Sequence, residues 1–231
     1  MKVEIWSDVM CPFCYIGKRR FEQALAQFPH KDEVEIHWKS FQLNPAMKTD
    51  PGKNINQYLA EIKSISLQQA QQMNARVTDM AKEVGLQYDF SKAVVANSFD
   101  AHRLIQLAKT KGKGDDMEEQ LFKAYFTEGK NTADHATLLQ LATDIGLDAT
   151  EVKKVLTTND YAEAVEQDIY EARQIAVRGV PYFVLNDRYA VSGAQATETF
   201  LGALNTAWGE WDKENPGRSN DALVCTTDGE C

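Results

Sequence analysis

The sequence predicts an α/β fold in which a small mixed central sheet, flanked by helices, is interrupted by a large all-helical insertion. Three observations predict it. Apolar alternation of period two occurs near both ends of the chain, in residues 3–41 and 182–192, and nowhere between. Helical periodicity with caps fills the middle, residues 45–177. The first strand, helix and strand follow one another as a βαβ unit, whose right-handed crossover joins parallel neighbours.

Residues 3–7, Val-Glu-Ile-Trp-Ser, read as the first strand. Pro12 stands where the first turn of a helix accepts proline, because the missing N–H has no intrahelical partner there. Tyr15, Ile16, Phe21, Leu25 and Phe28 continue at helical spacing to about Pro29. Residues 33–39 alternate charged and apolar side chains, the pattern of a half-buried strand that extends toward Phe41. After Asn44-Pro45 the strand signal stops. Helices are expected over 54–62, 66–84, 98–111, 115–127, 133–145, 148–156 and 160–177. Ser66 and Gln69 are spaced as a capping box, Asp148 and Glu151 likewise, and Gly85-Leu86 and Gly146-Leu147 read as glycine C-caps with their apolar contacts. Residues 182–185 and 189–192 form a hairpin across a polar turn, and 197–208 make a last amphipathic helix. The expected division is a discontinuous sheet-bearing domain, 1–44 with 178–211, a helical insertion, 45–177, and a mobile tail, 212–231.

At 231 residues, 43% apolar and 26% charged, the chain has the balance of a globular protein able to bury its own core. A net charge of −9 argues against nucleic acid and anionic membrane as partners. No apolar run approaches the ~20 residues that span a bilayer. No signal-peptide pattern precedes the first strand, so a cytoplasmic location is expected if Met1 is the native start. Four cysteines in a reducing compartment point to catalysis, redox sensing or metal binding rather than structural staples.

Cys11-Pro12-Phe13-Cys14 falls at the strand-to-helix junction. A helix N-terminus carries unpaired N–H groups and partial positive charge, which stabilise a thiolate, the nucleophile of disulfide exchange. Cys11 is expected to be the exposed nucleophile and Cys14, one turn inside, the buried resolving thiol. The competing reading is a zinc knuckle. It would need four ligands from paired clusters, and the other cysteines, Cys225 and Cys231, stand in a different spacing and context. No metal is therefore expected. Val180-Pro181 heads the strand at 182. A proline there is by itself an ordinary edge position. Behind an N-terminal Cys-x-x-Cys it reads as the active-site cis-proline of the thioredoxin fold, with Val180 offering its backbone to an extended peptide.

With these two motifs the chain resembles the DsbA-like thioredoxin superfamily. It is most similar to the FrnE branch in its DVMCPFCYIGKRRF, NSFDAHRLIQLA and RGVPYFVLNDRYAVSGAQ segments, over about residues 1–208. The resemblance implies a thioredoxin fold with the helical block inserted between its two parts, and dithiol–disulfide exchange as the activity. The superfamily also contains glutathione-dependent isomerases and kappa-class transferases, which typically carry serine where Cys11 stands. The intact pair favours redox exchange. His102 and Asn97 in the middle segment are auxiliary candidates that the resemblance places toward the dithiol. On a helix Phe99, His102, Arg103 and Gln106 would share one side, and Ala101, Leu104, Ile105 and Ala108 another. Asp8, three residues before Cys11, is either a buried carboxylate that moves protons to or from Cys14 or a solvated strand-end acid. Cys225 and Cys231 are either a second dithiol that relays electrons, since ~20 extended residues span ~60 Å, or two tail thiols without a role.

The expected function is thus thiol–disulfide exchange with protein or peptide thiols and disulfides. It needs no cofactor beyond the redox-active disulfide, with glutathione as a co-substrate candidate. Substrate would bind along Val180, Pro181 and Phe13. The alternatives are a glutathione-dependent transferase or isomerase of the kappa or 2-hydroxychromene-2-carboxylate type, and a redox-sensing or chaperone-like peptide-binding protein that uses the apolar surface around Phe13 and Tyr15. An apolar patch on the helical block would suit a homodimer.

Overall fold

The structure is a computed structural model and describes residues 1–216. Its sheet has the order β2-β1-β5-β6. Strand β1 (Lys2–Ser7) runs parallel to β2 (Glu35–Ser40) across helix α1 (Pro12–Gln27). Strands β5 (Tyr182–Leu185) and β6 (Tyr189–Ser192) form the expected hairpin, and β5 pairs antiparallel with β1. The central position of β1 explains its composition, since Val3, Ile5 and Trp6 on both of its faces are buried. A 3-10 turn, Lys31–Glu33, occupies the start of the expected second strand, so β2 begins only at Glu35, whose N–H bonds to the Met1 carbonyl.

The middle of the chain folds as α2 (Ile55–Lys63), α3 (Leu67–Glu83), α4 (Phe99–Thr110), α5 (Gly114–Phe126), α6 (His135–Asp144), α7 (Ala149–Thr157) and α8 (Ala162–Gln174). It also contains a two-stranded ribbon, β3 (Asp50–Asn54) with β4 (Val94–Val95). No strand is expected there from the sequence. Asp-Pro-Gly-Lys has the composition of a turn, and β4 is two residues long, too short for an alternation to show. Asn54 closes the ribbon. Its side-chain amide donates to the carbonyls of Phe90, Ser91 and Ala93, while its oxygen caps α2. Ser66 and Gln69 make the capping box of α3. Both glycine caps form, with Leu86 N–H on the Ala81 carbonyl and Leu147 N–H on that of Ala142.

One apolar core joins the sheet to the helical segment. Phe21 of α1, Phe183 of β5 and the last helix's Phe200 meet in it, with ring centroids 4.6–5.8 Å apart. Helix α4 does not split into a polar and an apolar side. Residues 101–108 are all buried, because α5, α7, α8 and β2 surround it. The last helix, α9 (Thr197–Glu214), runs six residues beyond the expected end at 208 and into the expected tail. The Trp211 ring lies tilted against Trp208, centroids 4.8 Å apart, and Glu210 and Glu214 pair with Arg188, so this polar stretch is the solvent side of a helix. Cys225 and Cys231, and with them the proposed second dithiol, lie outside the described residues.

Gly85 sits at φ +81° with open space where a Cβ would stand. Gly85→Ala should therefore cost about 1 kcal/mol, from backbone strain alone. Urea unfolding should show a lower midpoint with an unchanged slope.

Candidate active site

Strand β1 ends at Ser7, and residues 8–11 carry the chain into α1. The Cys11 N–H bonds to the Asp8 carbonyl at 2.9 Å, which makes Cys11 the N-cap residue with extended backbone (φ −87°, ψ 110°). Pro12 takes the first helical position and frees no orphan donor. The Cys14 N–H then reaches the Cys11 carbonyl at 3.0 Å, the first turn that sets the two sulfurs on one face. Both thiols are free.

The Val180–Pro181 peptide bond is cis, and this loop covers the dithiol. The Cys11 thiol donates to the Val180 carbonyl at 3.3 Å. Cys11 is consequently only 3% exposed, not the open nucleophile expected from its place in the sequence. The Val180 carbonyl is occupied by this bond, while its N–H makes no hydrogen bond among the described residues. Pro181 packs on α1 at Gly17, where a Cβ would lie 2.8 Å from the proline Cγ. The Pro181 carbonyl is held by the Gly193 N–H, and Arg20 of α1 donates to the Ala194 carbonyl next along the same turn.

A cleft of about 800 Å³ opens beside Cys11. Cys11, Phe13, Val180 and Asp8 line it; Cys14, 1% exposed, does not. Burial pushes the Cys14 thiol well above the ordinary range, its bond with Cys11 and that sulfur's charge add to this, and the Asp8 N–H pulls the other way. The two thiols are thus distinguished by access. The far wall of the cleft comes from α2 and α3, with Ile55, Leu59 and Ile62 on one and Met73, Val77 and Met80 on the other. Both sets follow helical spacing. They line the cleft, and Ile55, Val77 and Met80 also pack on the buried cluster around Tyr88, Phe122 and Phe126. Four of the six methionines line this space, and unbranched thioethers make an adaptable apolar surface. Lys63 and Arg76 at its rim have no ion-pair partner among the described residues, and nothing in the sequence singles them out.

Asp8 is buried, so of its two readings the solvated acid is excluded. Its carboxylate accepts from the Leu43 N–H at 2.8 Å and the Met10 N–H at 3.4 Å, and lies 3.4 Å from His102 Nε2. His102 is fully buried on α4. Asn97 does not reach the thiols. Its amide accepts from Gln42 and donates to the Pro45 and Met47 carbonyls, and so holds the loop after β2. Phe13 is 39% exposed at the cleft, but Tyr15 is buried, so the apolar surface expected around both contains only the first. The Tyr15 ring stacks on Phe122 at 5.0 Å, its hydroxyl bonds to Glu119, and Tyr88 donates to the Pro12 carbonyl at 2.7 Å. Burial raises the Tyr15 hydroxyl, and its bond to Glu119 adds to the shift. The active-site turn is thereby clamped to α5 and to the segment after α3. Among the described residues no three or more His, Cys, Asp or Glu side chains are grouped to hold a metal ion. No helix there is long and apolar enough to cross a membrane.

This arrangement, a Cys-x-x-Cys at the mouth of the helix after β1 and a proline loop from β5 laid over it, defines a thioredoxin-fold dithiol site. The DSBA-like thioredoxin domain profile matches residues 2–205, and the chain belongs to that family. A solved structure of a probable DsbA oxidoreductase from Streptomyces coelicolor is 40% identical, with a TM-score of 0.87 over 99% of this chain and 97% of that one. The uncharacterized protein YwbO of Bacillus subtilis is 28% identical over 88% of this chain and 95% of its own. The cytosolic disulfide reductase DsbM of Pseudomonas aeruginosa, at 14% identity, shares the fold with a TM-score of 0.61 over 93% of this chain and 98% of that one.

Two predictions follow from the packing and charge of the site. Gly17→Ala drives a methyl group into Pro181 and should lower stability by ~1–3 kcal/mol, with a slower exchange rate measured in the folded variant. Glu118 of α5 is fully buried, and burial, then repulsion from Asp115 and Asp8, pushes its carboxyl up to about 8. The unfolded chain ionises this group near 4.5 and the folded chain only near 8. Stability should therefore fall as pH rises between those values and level off above. Glu118→Gln should flatten that fall and gain on the order of 2 kcal/mol at pH 8, read by denaturant titration across pH.

Proposed function

We propose that this protein is a thiol–disulfide oxidoreductase that exchanges disulfides with protein or peptide thiols through Cys11 and Cys14. The observation that carries this is the unequal placing of the two sulfurs: Cys11 on the wall of a substrate-sized cleft, Cys14 sealed behind it. An extended peptide lies along Val180, whose free N–H donates a strand-like bond to a peptide carbonyl, while apolar side chains enter beside Phe13.

In the oxidising direction a substrate thiol gives up its proton and its sulfur attacks the Cys11 sulfur of the Cys11–Cys14 disulfide. The bond from substrate to Cys11 forms, the Cys11–Cys14 bond breaks, and Cys14 leaves with the electron pair. A second substrate thiol then displaces Cys11, so that the substrate is oxidised by two electrons and the enzyme dithiol is left reduced. The reducing direction is the reverse. Asp8, on the cleft wall and with its own N–H against Cys14, is the proton carrier between the substrate sulfur and Cys14. Glutathione serves in this scheme as one further thiol able to attack Cys11. A reducing compartment suits the reading, and DsbM, with the same fold, is a cytosolic disulfide reductase.

Cys11→Ser should lower exchange with a model disulfide peptide by at least about a thousandfold, and Cys14→Ser should accumulate a mixed disulfide on Cys11 visible by mass spectrometry. Retention of glutathione-dependent isomerase or transferase activity in Cys11→Ser, without exchange activity in the wild type, would favour the isomerase reading instead.

A further inference from the structure

His102 has no part in the scheme above, yet it occupies a costly position. Its ring is fully buried, Nδ1 has no hydrogen-bond partner, and Nε2 lies 3.4 Å from Asp8 Oδ1. A buried imidazole with one nitrogen unpartnered is held in place by what the other nitrogen does.

The surroundings of Asp8 decide the tautomer. Its oxygens meet the Leu43 N–H, the Met10 N–H and His102, which is an environment of donors for an acceptor-only carboxylate. A proton on Nε2 completes this set and leaves only a lone pair unmatched at Nδ1. A proton on Nδ1 would bury an unpaired N–H and turn two lone pairs toward each other. Among the described residues His102 is also the one side chain within ion-pair distance of Asp8. The other titratable groups that face the pair are Cys11 and Cys14 from α1 and Glu118 and Tyr125 from α5, none of which is a cation.

We propose that His102 is a positioning residue for disulfide exchange: its Nε2–H holds one oxygen of Asp8, so that the carboxylate presents a fixed proton-accepting edge to the substrate sulfur in the cleft. This rests on the dithiol reading above. In the oxidising half-reaction the proton leaves the substrate thiol for Asp8 as the substrate sulfur bonds to Cys11. The Cys11–Cys14 bond breaks, its electron pair goes to Cys14, and Asp8 passes the proton to that sulfur. Proton and electron pair both end on Cys14, and no further reactant is required. Without His102 the carboxylate keeps its two backbone donors but loses the bond that orients Oδ1, and proton transfer slows.

The test compares His102→Leu with His102→Gln, which retains a side-chain N–H. The oxidised protein is reduced with dithiothreitol from pH 5 to 9, and the reduced protein is separately alkylated with iodoacetamide. His102→Leu should react about tenfold more slowly near pH 7 with a displaced pH profile, His102→Gln should stay within about threefold of wild type, and alkylation of Cys11 should be unchanged. In an Asp8→Asn background His102→Leu should add no further loss, because the group it orients is gone. A wild-type rate and profile in His102→Leu overturns the proposal, and so does a loss of the same size with and without the Asp8 carboxylate. Should His102→Leu not fold, the proposal stands or falls on His102→Gln, in which a loss beyond tenfold overturns it. Exchange that survives in Cys11→Ser would instead refute the dithiol reading itself, whatever His102 does.

Discussion

The site depends on the contact between the first turns of α1 and the Val180–Pro181 loop. Its partners are 169 residues apart, and no local preference brings them together. The sheet does so. Because β1 is central, its C-terminal end delivers Cys11 beside the N-terminal end of β5, where the loop arrives. Contact then requires a helix surface without a side chain at one position, which Gly17 supplies. Arg20, one turn on, binds the chain just past β6, so the hairpin cannot drift from α1. Any loosening of this contact separates the Cys11 thiol from the Val180 backbone.

Burial of Cys11 is compatible with reaction because it borders the cleft and its thiol is held there by one backbone carbonyl. A thiol buried under packed side chains would need a core to open; a thiol under a loop at the edge of a cleft needs only the exchange of one weak hydrogen bond for a substrate contact. One side of the cleft is held by stacked rings: Tyr15 on Phe122 ties α1 to α5, and Tyr88 on Phe126 ties the segment after α3 to α5. The opposite side is built from the exposed stripes of α2 and α3, with Ile62 and Met73 among the most exposed large apolar residues. A firm wall that holds the sulfur faces a methionine-rich wall that can adapt to different apolar segments.

Much of this was legible in the sequence, and the residues show why the rest was not. Caps are local, so Ser66 with Gln69, Gly85 and Gly146 marked helix ends correctly. That the Val180–Pro181 loop would lie against the Cys11-x-x-Cys14 turn was legible from the two motifs together. Helices α2 and α3 were expected, but not the cleft along them, since periodicity records at most that a face is apolar and not whether a core or a cleft meets it. His102 and Asp8 could be named but not joined, since a pairing 94 residues apart depends on how α4 packs behind β1. Asn97 stands one residue before the cap of α4 and spends its hydrogen bonds on the loop after β2, a role that only tertiary structure defines. The extension of α9 to Glu214 was hidden because a helix exposed on most sides has the composition of a tail.

The buried position of Cys14 sets a further condition on the chemistry. A thiol whose anion is disfavoured by burial is a poor leaving group, so breaking the Cys11–Cys14 bond toward Cys14 must be accompanied by a proton. Bulk water cannot supply it directly, since Cys14 does not line the cleft. Asp8 borders both regions, lining the cleft and setting its N–H at the Cys14 sulfur. On the proposed function, the same burial that keeps Cys14 from competing for substrate calls for a proton carrier beside the cleft. A second buried acid at this place, Glu118, would raise the cost of charge there, and burial displaces its ionisation upward so that it stays neutral near pH 7.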